Sequence, residues 1–337
     1  MGVWLLLALV YPVLDVSLGW GQLDRVAQIL ILVLLALGLN IVVGLAGLLD
    51  LGYAAFFAIG AYTAAFLTSP VSPLPFRTSF WVALGVSWLV AALFGALLGA
   101  PTLRLRGDYL AVVTLAFGEI VPRVFLNAEA WTGGSKGMNP IEHPVLLGLE
   151  FGVTPVLGSV VLPWYYLILG VVLLSLVAAG RLVRSRLGRA WVALREDPMA
   201  AASLGIDPVL SKLMAFALGA SFSGFGGCLF AGMLQVVSPS QFDFSTSIMV
   251  LAMVILGGTG HLGGVLAGAF VVGAFDRVLA TELTGWTRQL GAGLGLAPLQ
   301  YLDFSNARLA VFGLSLVVVM ALRPRGLFAR RERPAAH

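Results

Sequence analysis

The sequence predicts an all-α, polytopic membrane protein with about ten helical spans. Three observations carry that reading. Of 337 residues, 59% are hydrophobic and only 11% charged, where a soluble domain carries about 25% charged residues. Mean hydropathy is +0.98, and apolar runs recur from end to end, too many for one soluble core to absorb. The runs are continuous and do not alternate. A helix needs roughly 20 apolar residues to cross about 30 Å of hydrocarbon, and in lipid it satisfies its own backbone N–H and C=O groups. Barrel strands would alternate apolar and polar residues over about ten positions.

Ten spans fit the runs, at about 3–19, 27–48, 53–68, 79–100, 109–127, 164–182, 211–236, 244–258, 263–280 and 308–323. Spans three, eight and nine are short. If they are half-helices or re-entrant segments, the count falls to eight or nine. The first run has no basic residue ahead of it and no clear small-residue cleavage site, so it reads as a retained span and not a signal peptide.

Orientation follows arginine placement, because short cytoplasmic loops collect basic residues. The segment 181–195 holds Arg181, Arg184, Arg186, Arg189 and Arg195, and the tail holds Arg323, Arg325, Arg330, Arg331 and Arg333. The loop 101–108 holds Arg104 and Arg106. All three lie inside in one consistent topology, with both termini cytoplasmic. Residues 1–330 then form a single transmembrane domain, and 331–337 a cytoplasmic tail. The long connection 128–163 falls outside, as does the Gly-rich connection 281–307 with Trp286.

Other function classes find little here. A net charge of +4 does not suggest nucleic-acid binding. Cys228 is the single cysteine, so neither a disulfide framework nor a thiolate metal site is expected. His143, His261 and His337 have no metal-ligand spacing, and no catalytic constellation or cofactor motif stands out. The chain is therefore read as a non-enzyme without cofactor or metal. It lacks a GxxxxGK[ST] loop, so any dependence on ATP must come from another chain.

Polar residues inside spans are costly and need partners. Asn40, Thr114 and Glu119 interrupt apolar runs. Arg123 stands four residues after Glu119, on the same helix face, which suits a structural ion pair near the outer interface. Asn40 suits a helix–helix hydrogen bond better than a pathway role, and His261 a turn.

A weak internal repeat is visible. Gly44-Leu-Ala-Gly47 opens a segment ending Gly60-Ala61-Tyr62, and Gly257-Gly-Thr-Gly260 opens one ending Gly273-Ala274-Phe275, at a constant offset of 213 residues. Duplicated, glycine-interrupted helices are typical of transporters, with the pathway between the halves. A zwitterion in transit would be met by helix termini and backbone groups, not by fixed charges. Gly44, Gly47, Gly257 and Gly260, with Asn40 beside them, are the candidate pathway residues.

The stretch 188–207 lies inside and is not apolar enough to span. Its alanines favour helix. Asp197 before Pro198 reads as an N-cap before an N1 proline, and Gly205 can end the helix. A short cytoplasmic helix over about Pro198 to Leu204 follows. Its small side chains would admit another protein's groove. Arg189, Arg195, Glu196, Asp197 and Asp207 would fix register.

This stretch resembles the coupling segment of bacterial ABC importer permeases, in which an acidic-Ala-Ala pattern precedes Gly. Here Ala200-Ala201-Ala202 precedes Gly205, with Met199 where the acidic residue would stand. That departure matches the branched-chain amino acid branch. Four further stretches resemble the same branch in the same order: Leu39 to Gly47 with Leu51 to Tyr62, Arg106-Gly107-Asp108-Tyr109-Leu110-Ala111, Thr132-Gly133-Gly134-Ser135-Lys136-Gly137, and Ile255 to Gly260. The resemblance covers roughly 30–325 and points to the longer of the two permeases of such importers. It implies ATP-driven uptake of Leu, Ile or Val across the bacterial inner membrane. The implied partners are a second homologous permease, two cytoplasmic ATPase subunits and a periplasmic substrate-binding protein. Residues 183–210 would be the coupling segment, with Arg189, Arg195, Glu196, Asp197, Ala201 and Gly205 as its contacts, and 128–163 a periplasmic connection. A urea or amide importer permease is the alternative within the class. An ATP-independent transporter or channel is the alternative outside it, and it would need midplane carboxylates that the chain offers only at Glu119.

Overall fold

The computed structural model describes residues 2–102, 108–146, 148–280, 282 and 284–287, with isolated positions at 310, 313–314, 317–318 and 321. Among the described residues, seven helices are long and apolar enough to cross a membrane, and Ala8–Leu18 and Tyr53–Thr68 are shorter apolar helices. The chain is a polytopic all-α membrane protein. Residues 103–107 of the arginine loop, most of the tenth run 308–323, the tail and most of 281–307 lie outside the described residues.

Helix α1 spans Gly2–Leu18 and α2 Leu23–Leu39. α2 continues as a π-helical turn over Asn40–Leu45. Asp15 joins the first two helices, its carboxylate accepting the backbone N–H of Gln22 at 3.1 Å and of Leu23 at 3.2 Å. These are donors that the start of α2 would otherwise leave unpaired. Most of α2 is buried, including Ile31 to Leu39 without interruption. A helix apolar on every face belongs at the centre of a membrane bundle.

Around it follow α3 (Tyr53–Thr68), α4 (Phe80–Thr102) and α5 (Asp108–Asn127). The outer connection carries α6 (Glu129–Thr132) and a two-stranded hairpin, β1 (Val145–Leu146) with β2 (Leu149–Glu150). Then come α7 (Leu162–Arg184), α8 (Arg186–Glu196), α9 (Pro198–Ser203) and α10 (Pro208–Leu234). Finally α11 (Phe244–Gly257) and α12 (Leu262–Ala274) form a second hairpin, and α12 ends in another π turn, Phe275–Leu279.

Pro12 frees the carbonyl of Ala8 in α1, because proline has no N–H to offer residue i−4. The Tyr165 hydroxyl of α7 donates to that carbonyl at 2.8 Å, and the Tyr166 hydroxyl to Leu9 O at 3.1 Å.

Helix α10 packs between α3 and α4 through small residues. A Cβ placed on Gly60 would lie 2.7 Å from the Gly224 Cα, and one on Gly95 2.6 Å from the Phe216 carbonyl. Backbones can approach this closely only where side chains are absent or small, and close van der Waals packing drives helix association in lipid. The Tyr53 hydroxyl donates to Gly219 O at 2.8 Å, tying the start of α3 to the same helix.

The two ends of the bundle differ. At one end, the 128–161 connection bonds to the helix ends: Met138 and Val237 exchange backbone hydrogen bonds at 2.9 and 3.1 Å, and the Ser69 hydroxyl donates to Pro140 O at 2.7 Å. At the other end lie the α2–α3 turn, the α11–α12 turn, α8 and α9. The 128–161 connection and the arginine-bearing segment 181–195 thus lie at opposite ends of the bundle. Glu119 and Arg123 pair at 3.1 Å, as their spacing predicts.

Candidate functional site

The end that carries α8 and α9 brings together two sets of residues that the sequence presents separately. α8 is an amphipathic helix. Ser185 caps it, its hydroxyl oxygen accepting from Gly188 N at 3.3 Å. Gly188, Trp191 and Leu194 recur every three residues and are buried, while Arg189 and Glu196 face outward. The Trp191 indole donates to Ser211 O at 2.7 Å, which fixes α8 against the start of α10.

From this helix the Arg195 side chain runs along Gly47, where an added Cβ would fall 2.7 Å from Arg195 Cγ. Its Nη1 donates to the Gly44 carbonyl. Gly44 lies inside the π turn of α2. Such turns are rare and cluster at functional sites, since the register shift exposes a carbonyl and re-aims side chains. Gly47 has φ +68° and Gly260 φ +83°, conformations that favour glycine.

The second broken hairpin closes the junction. Gly260 N–H donates to Asn40 Oδ1 at 2.8 Å. A Cβ on Gly44 would lie 2.5 Å from Gly260 N and would overlap Asn40 Oδ1. Gly257 sits one turn away, packed so closely on Gly264 O that a Cβ would collide with it. His261 is the first residue of the following turn, at the N-cap of α12. Asn40, Gly44, Gly47, Gly260 and Arg195 therefore meet at one point, and Gly257 supports it. Asn40 bonds a turn and not the body of a facing helix. Its Nδ2 is buried without a hydrogen-bond partner among the described residues.

The remaining candidates of the coupling segment have other geometries. Asp197 caps α9, its Oδ1 accepting from Met199 N at 2.9 Å and Ala200 N at 3.0 Å, and Gly205 ends the segment at φ +85°. Both match the sequence pattern. Asp207 caps α10 through Val209 N and Leu210 N. Arg189 donates to Arg184 O at 2.8 Å, and Glu196 is exposed. Ala201 turns inward and is 2% exposed, whereas Met199 is 77% and Leu204 83% exposed. The outward apolar tip of α9 is thus Met199 and Leu204.

Of the side chains that hold the 46–52 turn, sequence reading named Thr114 but missed Asp50 and Ser247. Asp50 is fully buried. Its Oδ1 accepts from Gly52 N at 2.9 Å, and its Oδ2 is unpaired among the described residues. Leu51 N donates to the Thr114 hydroxyl at 3.1 Å, and Ala54 N to the Ser247 hydroxyl at 3.0 Å. The turn is held by α5 and α11. An acidic residue amid Gly44 to Gly52 was the available signal. Among the described residues no group of three His, Cys, Asp or Glu side chains could hold a metal.

These features define a class: a helical membrane protein in which two glycine-interrupted hairpins meet over an amphipathic helix outside the long apolar spans. The chain matches the family model for the permease component of branched-chain amino acid transport systems over residues 23–320. It is 42% identical over 323 residues to the high-affinity branched-chain amino acid transport system permease protein LivM of Salmonella typhimurium, which covers 91% of this chain and 70% of that one. Identity to LivM of Escherichia coli K12 is 41% over 339 residues, covering 96% and 73%. The autoinducer 2 import system permease protein LsrC of Enterobacter sp. 638 is 30% identical over 235 residues, covering 65% and 63%. No solved structure matches. The chain belongs to the branched-chain amino acid transport system permease family, as its motifs suggested.

Proposed function

We propose that this chain is one of two homologous permease subunits of an ATP-driven importer that carries Leu, Ile and Val across the bacterial inner membrane. It crosses about ten times, with both termini in the cytoplasm. ATP is hydrolysed on two partner subunits, and a periplasmic binding protein delivers the substrate. The family supports the substrate class. The Arg195–Gly44 hydrogen bond carries the mechanism, because it joins the cytoplasmic segment directly to a broken membrane helix.

In this reading α9 docks to an ATPase subunit through Met199 and Leu204, apolar side chains exposed on a non-membrane helix. Movement of α9 passes to α8 across Asp197 and reaches α2 through Arg195. Asn40, Gly44, Gly47, Gly257 and Gly260 form the inner closure of the pathway. Opening it breaks the Gly260–Asn40 bond. The unpaired Asn40 Nδ2 supports a two-state element, since a buried donor left unpaired costs about 1–3 kcal/mol in the closed arrangement.

The test is purification of the tagged chain from its native membrane, followed by uptake of labelled leucine into vesicles. Recovery of two ATPases and a second permease, with uptake that needs ATP, is expected. A chain that purifies alone and transports without ATP would overturn the reading.

A further inference from the structure

A narrow cleft opens at the outer part of the bundle, away from the Arg195 junction. Gln28 lines it, sixteen residues before Gly44 on α2, which places it about 24 Å away along the helix. The void is about 30 Å³, room for about two waters. Its walls divide by chemistry. Phe57, Phe230 and Met249 form an apolar side, and all three are buried. Gln28, Gln241 and Arg277 form a polar side.

The amides on the polar side are oriented by their neighbours. Gln28 Nε2 donates to Asp24 Oδ2 at 3.0 Å, which leaves the Gln28 carbonyl oxygen as the group to offer an ammonium. Gln241 Oε1 accepts from Ser238 N at 3.0 Å, so Gln241 offers its NH2. Arg277 sits in the π turn that ends α12. Its buried Nε is ion-paired with the buried Asp276 carboxylate, Oδ2 at 3.3 Å, so a substrate carboxylate would meet the remaining guanidinium nitrogens. Residues that carry donors (Arg277, Gln241), an acceptor (Gln28) and an apolar wall thus line one void.

We infer that this cleft is a substrate station for a zwitterionic aliphatic amino acid, with Arg277 and Gln241 receiving the carboxylate, Gln28 the ammonium, and Phe57, Phe230 and Met249 the branched side chain. The inference rests on the permease reading above and places the substrate within this chain. The carboxylate meets a planar guanidinium, whose fork of donors matches its two oxygens. The void is smaller than leucine, so the walls must part as the substrate enters.

The purified full chain in lipid nanodiscs tests this by thermal unfolding with three probes: leucine, leucinol (no carboxylate) and 4-methylpentanoate (no ammonium). A ligand that binds only the folded state raises its stability with concentration. Leucine is expected to raise the unfolding temperature more than either analogue. Arg277→Gln should erase the excess of leucine over leucinol, and Arg277→Lys should restore part of it. A merely structural Arg277 would lower the unfolding temperature without ligand and leave the excess unchanged. Equal shifts with leucine and leucinol in the unaltered chain would overturn the station. ATP-driven leucine uptake by the complete importer would in that case leave the permease reading intact, and its absence would sink that reading separately.

Discussion

The Gly260 backbone N–H donates to Asn40 Oδ1 at 2.8 Å, joining residues 220 apart in sequence. This one bond ties the α2–α3 turn to the α11–α12 turn, the two glycine-interrupted hairpins of the fold. Arg195 binds the same π turn from the other side, at Gly44 O. The bond between the two hairpins and the bond to α8 thus share one six-residue turn at the end of α2, Asn40–Leu45.

Asn40→Ala should loosen this closure. The substitution leaves Gly260 N–H without its acceptor and opens a void at a fully buried position. The expected loss of stability is about 1–3 kcal/mol, read as a lower unfolding temperature of the purified chain. In the assembled importer, ATP hydrolysis should continue while leucine carried per ATP falls, because the inner end no longer shuts. Unaltered stoichiometry of transport would count against the closure.

Arg195→Gln tests transmission. It shortens the reach and removes the charge from the bond to Gly44 O. A hydrogen bond to a charged group contributes about 1.5–3 kcal/mol, which corresponds to at least a tenfold shift between two states. Substrate-stimulated ATP hydrolysis and uptake should both fall by roughly that factor, while the complex still assembles. A variant with normal stimulated hydrolysis would show that force reaches α2 by another route.

The two faces of α9 should separate stability from docking. Ala201 is 2% exposed, so Ala201→Leu overpacks the chain itself and should cost about 1–3 kcal/mol in the isolated permease. Met199 is 77% exposed, so Met199→Asp should leave the isolated chain as stable as before but weaken co-purification with the ATPase subunits. If Met199→Asp retains full partner binding, the docking face lies elsewhere.

Much of this architecture is legible in the sequence, for identifiable reasons. Long apolar runs favour one solution in lipid, and among the described residues nine of the expected spans recur as helices over nearly the same residues. Asp197, Pro198 and Gly205 announce α9 because capping chemistry is local. α8 was not foreseen, although Ser185 with Gly188, Trp191 and Leu194 carries its capped, amphipathic signal. The glycines at 44, 47 and 260 mark a break in each hairpin. Their meeting point depends on Asn40 and Arg195 reaching across the bundle, and no spacing rule encodes that. Burial of Ala201 and exposure of Met199 likewise follow from how α9 lies on α8 and α10, which local propensity does not determine.

Close approach of α3 and α10 makes Gly60 a sensitive position. A Cβ there would lie 2.7 Å from both the Cα and the carbonyl oxygen of Gly224, and backbone cannot yield as a flexible side chain can. Gly60→Ala should therefore destabilise the chain by about 1–3 kcal/mol through overpacking. Gly170 on α7 has open space around an added Cβ. Gly170→Ala should be neutral or slightly stabilising, since alanine is the better helix former by about 1 kcal/mol. Matched unfolding midpoints for the two variants would mean that α3 and α10 can separate at no cost.

His143 gives the outer connection a dependence on pH. Its imidazole lies in the 128–161 segment, against the Gln235 side-chain amide and close to Gly152, where an added Cβ would meet its Cε1 at 2.7 Å. Burial holds its pKa below the ordinary value of 6.5, and the nearby Glu150 charge offsets this only in part. The folded chain therefore favours neutral His143, while the unfolded chain takes up its proton at the ordinary pKa. The stability linked to this group is fully present above about pH 6.5 and is lost as pH falls through that value toward the lower folded pKa. Unfolding temperatures of the purified chain should decline more steeply between about pH 6.5 and pH 5 than those of His143→Gln, which keeps a hydrogen-bonding side chain but does not titrate. Parallel pH profiles for the two proteins would show that the outer connection tolerates the imidazolium and that His143 has no part in this pH dependence.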